Sequence, residues 1–96
     1  MEADPVMSAH LKEARRTLKR VLEPDSASLR ALRLAAGLSQ DRLAELADTT
    51  QSYIARIEAG TLDPGTDSLA RLAEALGAPE ELVFAAIRAQ RRRQND

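Results

Sequence analysis

The chain reads as an all-α protein, and its composition and spacing together say so. The apolar residues are almost entirely Leu and Ala, with one Tyr, one Phe and no Trp in the whole sequence. Leu and Ala favour helix, while the aromatic and β-branched residues that suit strands are few. Apolar positions also recur at three- and four-residue intervals between Gly, Pro, Ser, Thr and Asp punctuation, the period of one helical face. With 96 residues there is room for a single core unit and a short extension. The expected organisation is an N-terminal amphipathic helix and linker over 1–25, a helical domain over 26–80, and a C-terminal helix with a basic tail over 81–96.

The first helix is expected from Val6 to Leu22. Met7, Leu11, Ala14, Leu18 and Val21 are spaced 4, 3, 4, 3, the seam spacing of helix-on-helix packing. Lys12, Glu13, Arg15, Arg16, Lys19 and Arg20 occupy the other face. Two heptads are too few for an isolated coiled coil, so this helix needs a surface to dock on. His10 on the same helix is a surface residue to which no function is assigned. Pro24 disfavours helix at Glu23, and Asp25 or Ser26 can cap the next helix.

That next helix is predicted over Ala27–Ala36, with Leu29, Leu32 and Ala36 inward, Arg30 and Arg33 beside them, and Gly37 ending it. Ser39 caps a short helix over Gln40–Ala47. Asp48 and Thr49 turn the chain, and Thr50 or Thr49 caps a third helix to Glu58, packed through Ile54 and Ile57 and ended by Gly60. Thr66 is read as the cap of a helix carrying Leu69, Leu72, Ala73 and Leu76 inward and stopped by Gly77. Pro79, at a first helical position, opens the last helix, which runs into Arg91, Arg92 and Arg93.

Composition excludes several functions. There is no cysteine, so thiol catalysis, disulfides and cysteine metal sites are out. One histidine cannot build a histidine metal cluster. No phosphate-cradling glycine loop is present, and acidic residues are scattered at surface spacing, so neither an enzyme nor a cofactor is expected. No apolar stretch approaches the roughly 18 residues of a membrane span, and a secretory apolar core is missing at the N-terminus, which predicts a cytoplasmic protein with no membrane partner. The net charge of −1 gives no global attraction to nucleic acid. A basic surface must be local: 61–87 is acidic, while Arg88, Arg91, Arg92 and Arg93 make the end basic.

The segments Gln40–Ala47 and Thr50–Glu58 are separated by a turn too short for an antiparallel hairpin. The second helix must leave at a steep angle, the helix-turn-helix arrangement that can push one helix into a DNA major groove. Gln51 and Ser52 in its first turn offer short hydrogen-bonding groups. Gln can pair with adenine through two bonds, and Arg56, one turn on from Ser52, can reach guanine or phosphate. Ala55 between them permits close approach.

The runs GLSQ then LA, YIARIEAG, and SLARLAEALG stand in this order within Leu29–Ala78. In them the chain resembles the five-helix DNA-binding domain of the phage repressor and Cro family, also called the Xre family. The resemblance covers about half the sequence. It implies a repressor-like fold with one extra N-terminal helix, double-stranded DNA as partner, and a transcription regulator, most simply a repressor. By the same resemblance, Gln40 holds a phosphate and buttresses the recognition helix. Thr50, Gln51, Ser52 and Arg56 match DNA-facing positions, and Tyr53 matches one that contacts the backbone. Arg33 and Glu58 match a pair of opposite charges that ties the first domain helix to the recognition helix. Two departures stand out. Asp48 replaces the usual turn glycine, and the loop Thr61–Gly65 carries Asp63 where many members have basic residues.

The last helix is apolar all round over Leu82–Ile87. With Leu82, Val83 and Ala86 inward, Phe84 and Ile87 are expected to point elsewhere and to need a second cover. A twin subunit would place two recognition helices about 34–36 Å apart, one DNA turn, and the resembled family often makes its dimer contact at this end. The other covers are the N-terminal helix and a different protein. A second reading follows: small chains with this domain plus one helical segment resemble antitoxins, which bind a toxin protein and repress their own operon. Its contact would be the seam of Met7, Leu11 and Leu18, which otherwise docks on the chain itself or its twin.

Overall fold

Hydroxyl side chains set where the first three helices begin. A computed structural model describes residues 27–95; the expected helix over 6–22, with Met7, Leu11 and Leu18, lies outside the described residues. Helix α1 (Leu29–Ala35) starts where Ser28 accepts a hydrogen bond from the Ala31 N–H at 2.9 Å. Helix α2 (Gln40–Leu46) is capped by Ser39 through the Arg42 N–H at 3.0 Å, and α3 (Gln51–Glu58) by Thr50 through the Tyr53 N–H at 3.2 Å. Each cap satisfies one of the amides that a helix start leaves without a partner. Helices α4 (Thr66–Leu76) and α5 (Glu80–Asn95) complete an all-helical domain, with no strand among the described residues.

Three starts differ from the expectation. α1 begins at Leu29 under a Ser28 cap, not at Ala27 under Asp25 or Ser26. Gly65, not Thr66, occupies the capping position of α4 and supplies no side-chain bond, while Thr66 is already helical. Pro79 lies one residue before α5, and its carbonyl accepts the Val83 N–H at 3.2 Å. Its fixed φ still pre-sets the first turn.

Helix ends share one device. After α1, α2, α3 and α4 the chain folds back so that two amides just past the helix bond carbonyls in its last turn, as Leu38 does to Arg33 and Thr49 to Ala44. The pivot must take positive φ, a region that favours glycine. Gly37, Gly60 and Gly77 supply it three times, and Asp48, at φ 54°, supplies it between α2 and α3.

The core is one cluster. Leu29 and Leu32 of α1, Leu43 of α2, Ile54 and Ile57 of α3, Leu72 of α4 and Val83 of α5 are all fully enclosed. α2 packs on α3 and α4, while α5 closes the domain against α4 and α1. Ile87 corrects an expectation. It is 6% exposed and sits in this core, while Phe84 is 52% exposed. Val83, Ala86, Ile87 and Gln90 lie at i, i+3, i+4 and i+7 and form a single stripe, so Ile87 points the same way as Val83. Among the described residues, no helix is long and apolar enough to cross a membrane.

Candidate nucleic-acid interface

α2 and α3 are joined by residues 47–50, and the start of α3 at Thr50, Gln51 and Ser52 is exposed. Ile54 and Ile57 bury the inner side of α3, leaving Thr50, Gln51, Ser52 and Arg56 exposed on the outer side. Arg56 makes no ion pair among the described residues. Tyr53 is half-buried and packs on the core edge, so its ring is held by the domain while its flank faces outward.

A chain of polar contacts ties this exposed face to the interior. The Gln51 Nε2 donates to Gln40 Oε1 at 2.7 Å, and the Gln40 Nε2 donates to Glu58 Oε1 at 3.3 Å. Glu58 also accepts two bonds from one edge of the Arg33 guanidinium, from Nε at 2.7 Å and from Nη2 at 3.1 Å. Arg33 completes its shell by donating to the Leu38 carbonyl at 2.9 Å. The two-pronged geometry fixes the plane of the carboxylate as well as its distance. The Glu58 hydrogen bond holds the Arg33 pKa above its ordinary value, opposed by burial and aided by the carboxylate charge. First and last residues of α3 are thus linked to one buried pair through a single glutamine.

Hydrogen-bond capacity remains on both amides. Gln51 spends one N–H on Gln40, which leaves its carbonyl oxygen and a second N–H. Those are the two groups that match an adenine edge in the major groove. Gln40 likewise keeps one N–H. Asp63, the acid in the loop after α3, pairs with Arg91 on α5, so its charge is partly matched inside the domain.

Two residues important to α3 are invisible to motif reading. Gln90 of α5 is 4% exposed; its Oε1 accepts the Leu29 N–H at 3.1 Å and its Nε2 donates to the Ile57 carbonyl at 2.7 Å. Gln94 Nε2 reaches the Glu58 carbonyl at 3.3 Å. The signal was Gln90 standing seven residues after Val83, on the apolar stripe. On the opposite flank of α5, Phe84 and Arg88 stack with the guanidinium carbon 5.7 Å from the ring centroid. They line an open groove of about 610 Å³ together with Pro64, Leu69, Ile87 and Arg92. Phe84 and Ile87 therefore share this groove, Ile87 as floor and Phe84 as wall. Arg91 and Arg93 are engaged within the domain, with Asp63 and with the Ala27 carbonyl.

Among the described residues, no group of three or more His, Cys, Asp or Glu is placed to hold a metal ion. Comparison with known proteins agrees with the geometry. Residues 26–86 match the family described as a helix-turn-helix domain. The chain is also 43% identical over 60 residues to an uncharacterised HTH-type transcriptional regulator, y4dL, of Sinorhizobium fredii (strain NBRC 101917 / NGR234). That alignment covers 57% of this chain and 31% of the relative, so the chain spans about a third of that protein's length. The family match takes in most of the sequence and both helices of the exposed polar face, and the chain belongs to the helix-turn-helix domain family.

Proposed function

We propose that this chain is a sequence-specific, double-stranded-DNA-binding regulator of transcription, a repressor of the repressor and Cro type, with α3 lying in the major groove. The observation that carries this is the exposed face of α3. Gln51, Ser52 and Arg56 project unsatisfied hydrogen-bonding groups from a helix whose first residue is held at 2.7 Å by Gln40. Gln51 reads a base through the oxygen and N–H that Gln40 leaves unused, and Arg56 takes a guanine or a phosphate one turn away. Gln40 directs its remaining N–H to a phosphate, with Thr50 and Tyr53 beside the backbone. The matched relative's name, a transcriptional regulator, supports the biological role.

The same reading includes a homodimer through α5. Glu80, Phe84, Arg88 and Arg91 recur at spacings of 4, 4 and 3, so they form one stripe. Its first end is acidic and its second basic. Two copies crossing antiparallel about Phe84 would set Glu80 of one opposite Arg88 of the partner subunit, since each lies four residues from Phe84. Such self-complementarity is what a two-fold interface needs. The antitoxin reading rests on the seam of Met7, Leu11 and Leu18, outside the described residues, so the regulator reading is the one with structural support.

In vitro selection of random duplex DNA by the purified protein, with Gln51→Ala run in parallel, tests the proposal. The expected result is a palindromic motif from the wild type. In the variant, preference at one position in each half-site relaxes, a loss of about 1–3 kcal/mol. No enrichment by the wild type would overturn it, and a motif unchanged in the variant would remove Gln51 from the reading surface.

A further inference from the structure

Arg33 and Gln90 are the buried polar side chains among the described residues, and both end on the last turn of α3. Arg33 grips the Glu58 carboxylate, and Gln90 grips the Ile57 carbonyl from the other side. Burying an amide away from water is unfavourable unless its bonds are made, and an apolar residue would continue the stripe of Val83, Ala86 and Ile87 equally well. The Ile57 carbonyl has no local need of this partner, because the Gly60 N–H already bonds it at 3.0 Å. Gln90 therefore satisfies the Leu29 amide at the start of α1 and gives the Ile57 carbonyl a second bond, whose effect is to join the helices.

That junction matters because the fully buried apolar anchors of α3 lie close together, and its other restraints are polar: Gln40 on Gln51 at its start, and Arg33 and Gln94 on Glu58 at its end. Its fully buried apolar side chains are Ile54 and Ile57, three residues apart and hence within one turn. Two anchors so close define which side faces inward but resist tilting weakly. From Ile57 to Gln51 is about 9 Å at 1.5 Å per residue. A tilt of about 10° would displace Gln51 by roughly 1.5 Å, three times the whole range of good hydrogen-bond lengths. The pitch of α3 therefore depends on polar bonds at both of its ends: Gln40 holds its first residue, and Gln90 ties its last turn to α1 and α5.

We infer that Gln90 is a positioning residue for base recognition: from α5 it fixes the tilt of α3 against α1, and so aims Gln51 and Arg56 without touching DNA. This rests on the reading of α3 as the base-contacting helix. It adds a specificity determinant lying outside the two helices of the motif. Because α5 also carries Phe84, the same helix connects the proposed dimer surface to the aim of α3.

The test measures, for each variant, the ratio of affinity for the selected site to affinity for a random duplex of equal length. A ratio is insensitive to the fraction of molecules folded. Gln90→Met keeps the volume and removes both bonds; Gln90→Glu keeps an acceptor for the Leu29 N–H and loses the donor to Ile57. Val83→Ala, on the same stripe, controls for lost stability. Both Gln90 variants are expected to lower the ratio about tenfold, within the discrimination that one good base contact provides, with random-duplex affinity and the Val83→Ala ratio unchanged. An unchanged ratio in Gln90→Met, or an equal fall in Val83→Ala, overturns the inference while leaving α3 as the reading helix. Failure of both Gln90 variants to fold overturns it too, by making Gln90 a folding residue. If the wild type itself shows no preferred site, the fault lies with the reading of α3 instead.

Discussion

The outer faces of α3 and α5 are both exposed, yet what lies directly behind each differs. α3 shows polar groups to solvent and is anchored from behind by Arg33, Glu58, Gln40 and Gln90. α5 shows Phe84 to solvent, and behind that residue it is anchored by an apolar stripe, Val83, Ala86 and Ile87. Among the described residues its polar side-chain bonds are confined to its C-terminal half, at Gln90, Arg91, Arg93 and Gln94. The buried polar groups of the domain are thus invested behind the face with the polar surface. Apolar packing is non-directional and tolerates small shifts, whereas hydrogen bonds demand distance and angle. A surface that must present donors and acceptors at fixed positions needs the second kind of support. A surface that has only to be covered can rest on the first.

The largest expected effect comes from breaking the support of α3. Arg33→Ala leaves the Glu58 carboxylate enclosed without its cation, and unfolding in urea should show a loss of about 3–5 kcal/mol. Replacing both partners by apolar residues, Arg33→Met with Glu58→Leu, should recover most of that loss while still misplacing Gln40 and impairing DNA recognition. A double variant as unstable as Arg33→Ala would show that packing, not charge, is at stake. The sign of the pH effect follows from the raised Arg33 pKa. A folded-state pKa above the unfolded one contributes stability that is fully present below the unfolded value and lost as pH climbs through the folded value. Arg33 should therefore bring no change in stability from neutrality until strongly alkaline solution.

A smaller effect should appear at the turn. Asp48 holds positive φ where three other helix ends use glycine, and a side chain there costs about 1–2 kcal/mol, less for Asp than for most. Asp48→Gly should stabilise the fold by up to about 1 kcal/mol once the added freedom of the unfolded chain is subtracted, read as a higher midpoint of thermal unfolding. A lower midpoint would mean that the Asp48 side chain contributes something the glycine cannot.

The smallest expected change in the stability of the folded monomer belongs to α5. Phe84 is half exposed and stacks with Arg88, so Phe84→Glu should alter that stability by about 0.5 kcal/mol or less. If the proposed α5 dimer forms in the wild type, sedimentation should nevertheless register monomers for this variant. A dimer that survives the change would move the interface away from α5, and a collapse of stability would blur the contrast between the two faces.

Much of this was legible beforehand because each helix is marked locally. Ser39 and Thr50 cap where their hydroxyls predict, and the glycines after α1, α3 and α4 fall at the pivots. Leu43, Ile54, Ile57 and Leu72 follow the apolar period into the core. The misreading of Ile87 came from placing Leu82 inward with Val83 and Ala86, which rotates the inner face away from Ile87. The buried stripe instead runs through Val83, Ala86, Ile87 and Gln90. The bonds of Gln90 join positions 61 and 33 residues away, and no local pattern encodes such partners. Gly65 at the start of α4 escaped for a related reason. Backbone geometry alone makes the cap, and the neighbouring Thr66 is the residue type that usually does so.

The Leu29 amide offers a consequence of its own. Its position at the very start of α1 would ordinarily leave it open to solvent exchange within a fraying first turn. Here its proton is held by the side chain of Gln90 at 3.1 Å. The rate at which that one proton is replaced by deuterium therefore tracks the undocking of α5, and not the unwinding of α1 to which it belongs. It provides a single spectroscopic handle on whether the last helix is in place, readable without DNA and without altering any residue of the chain.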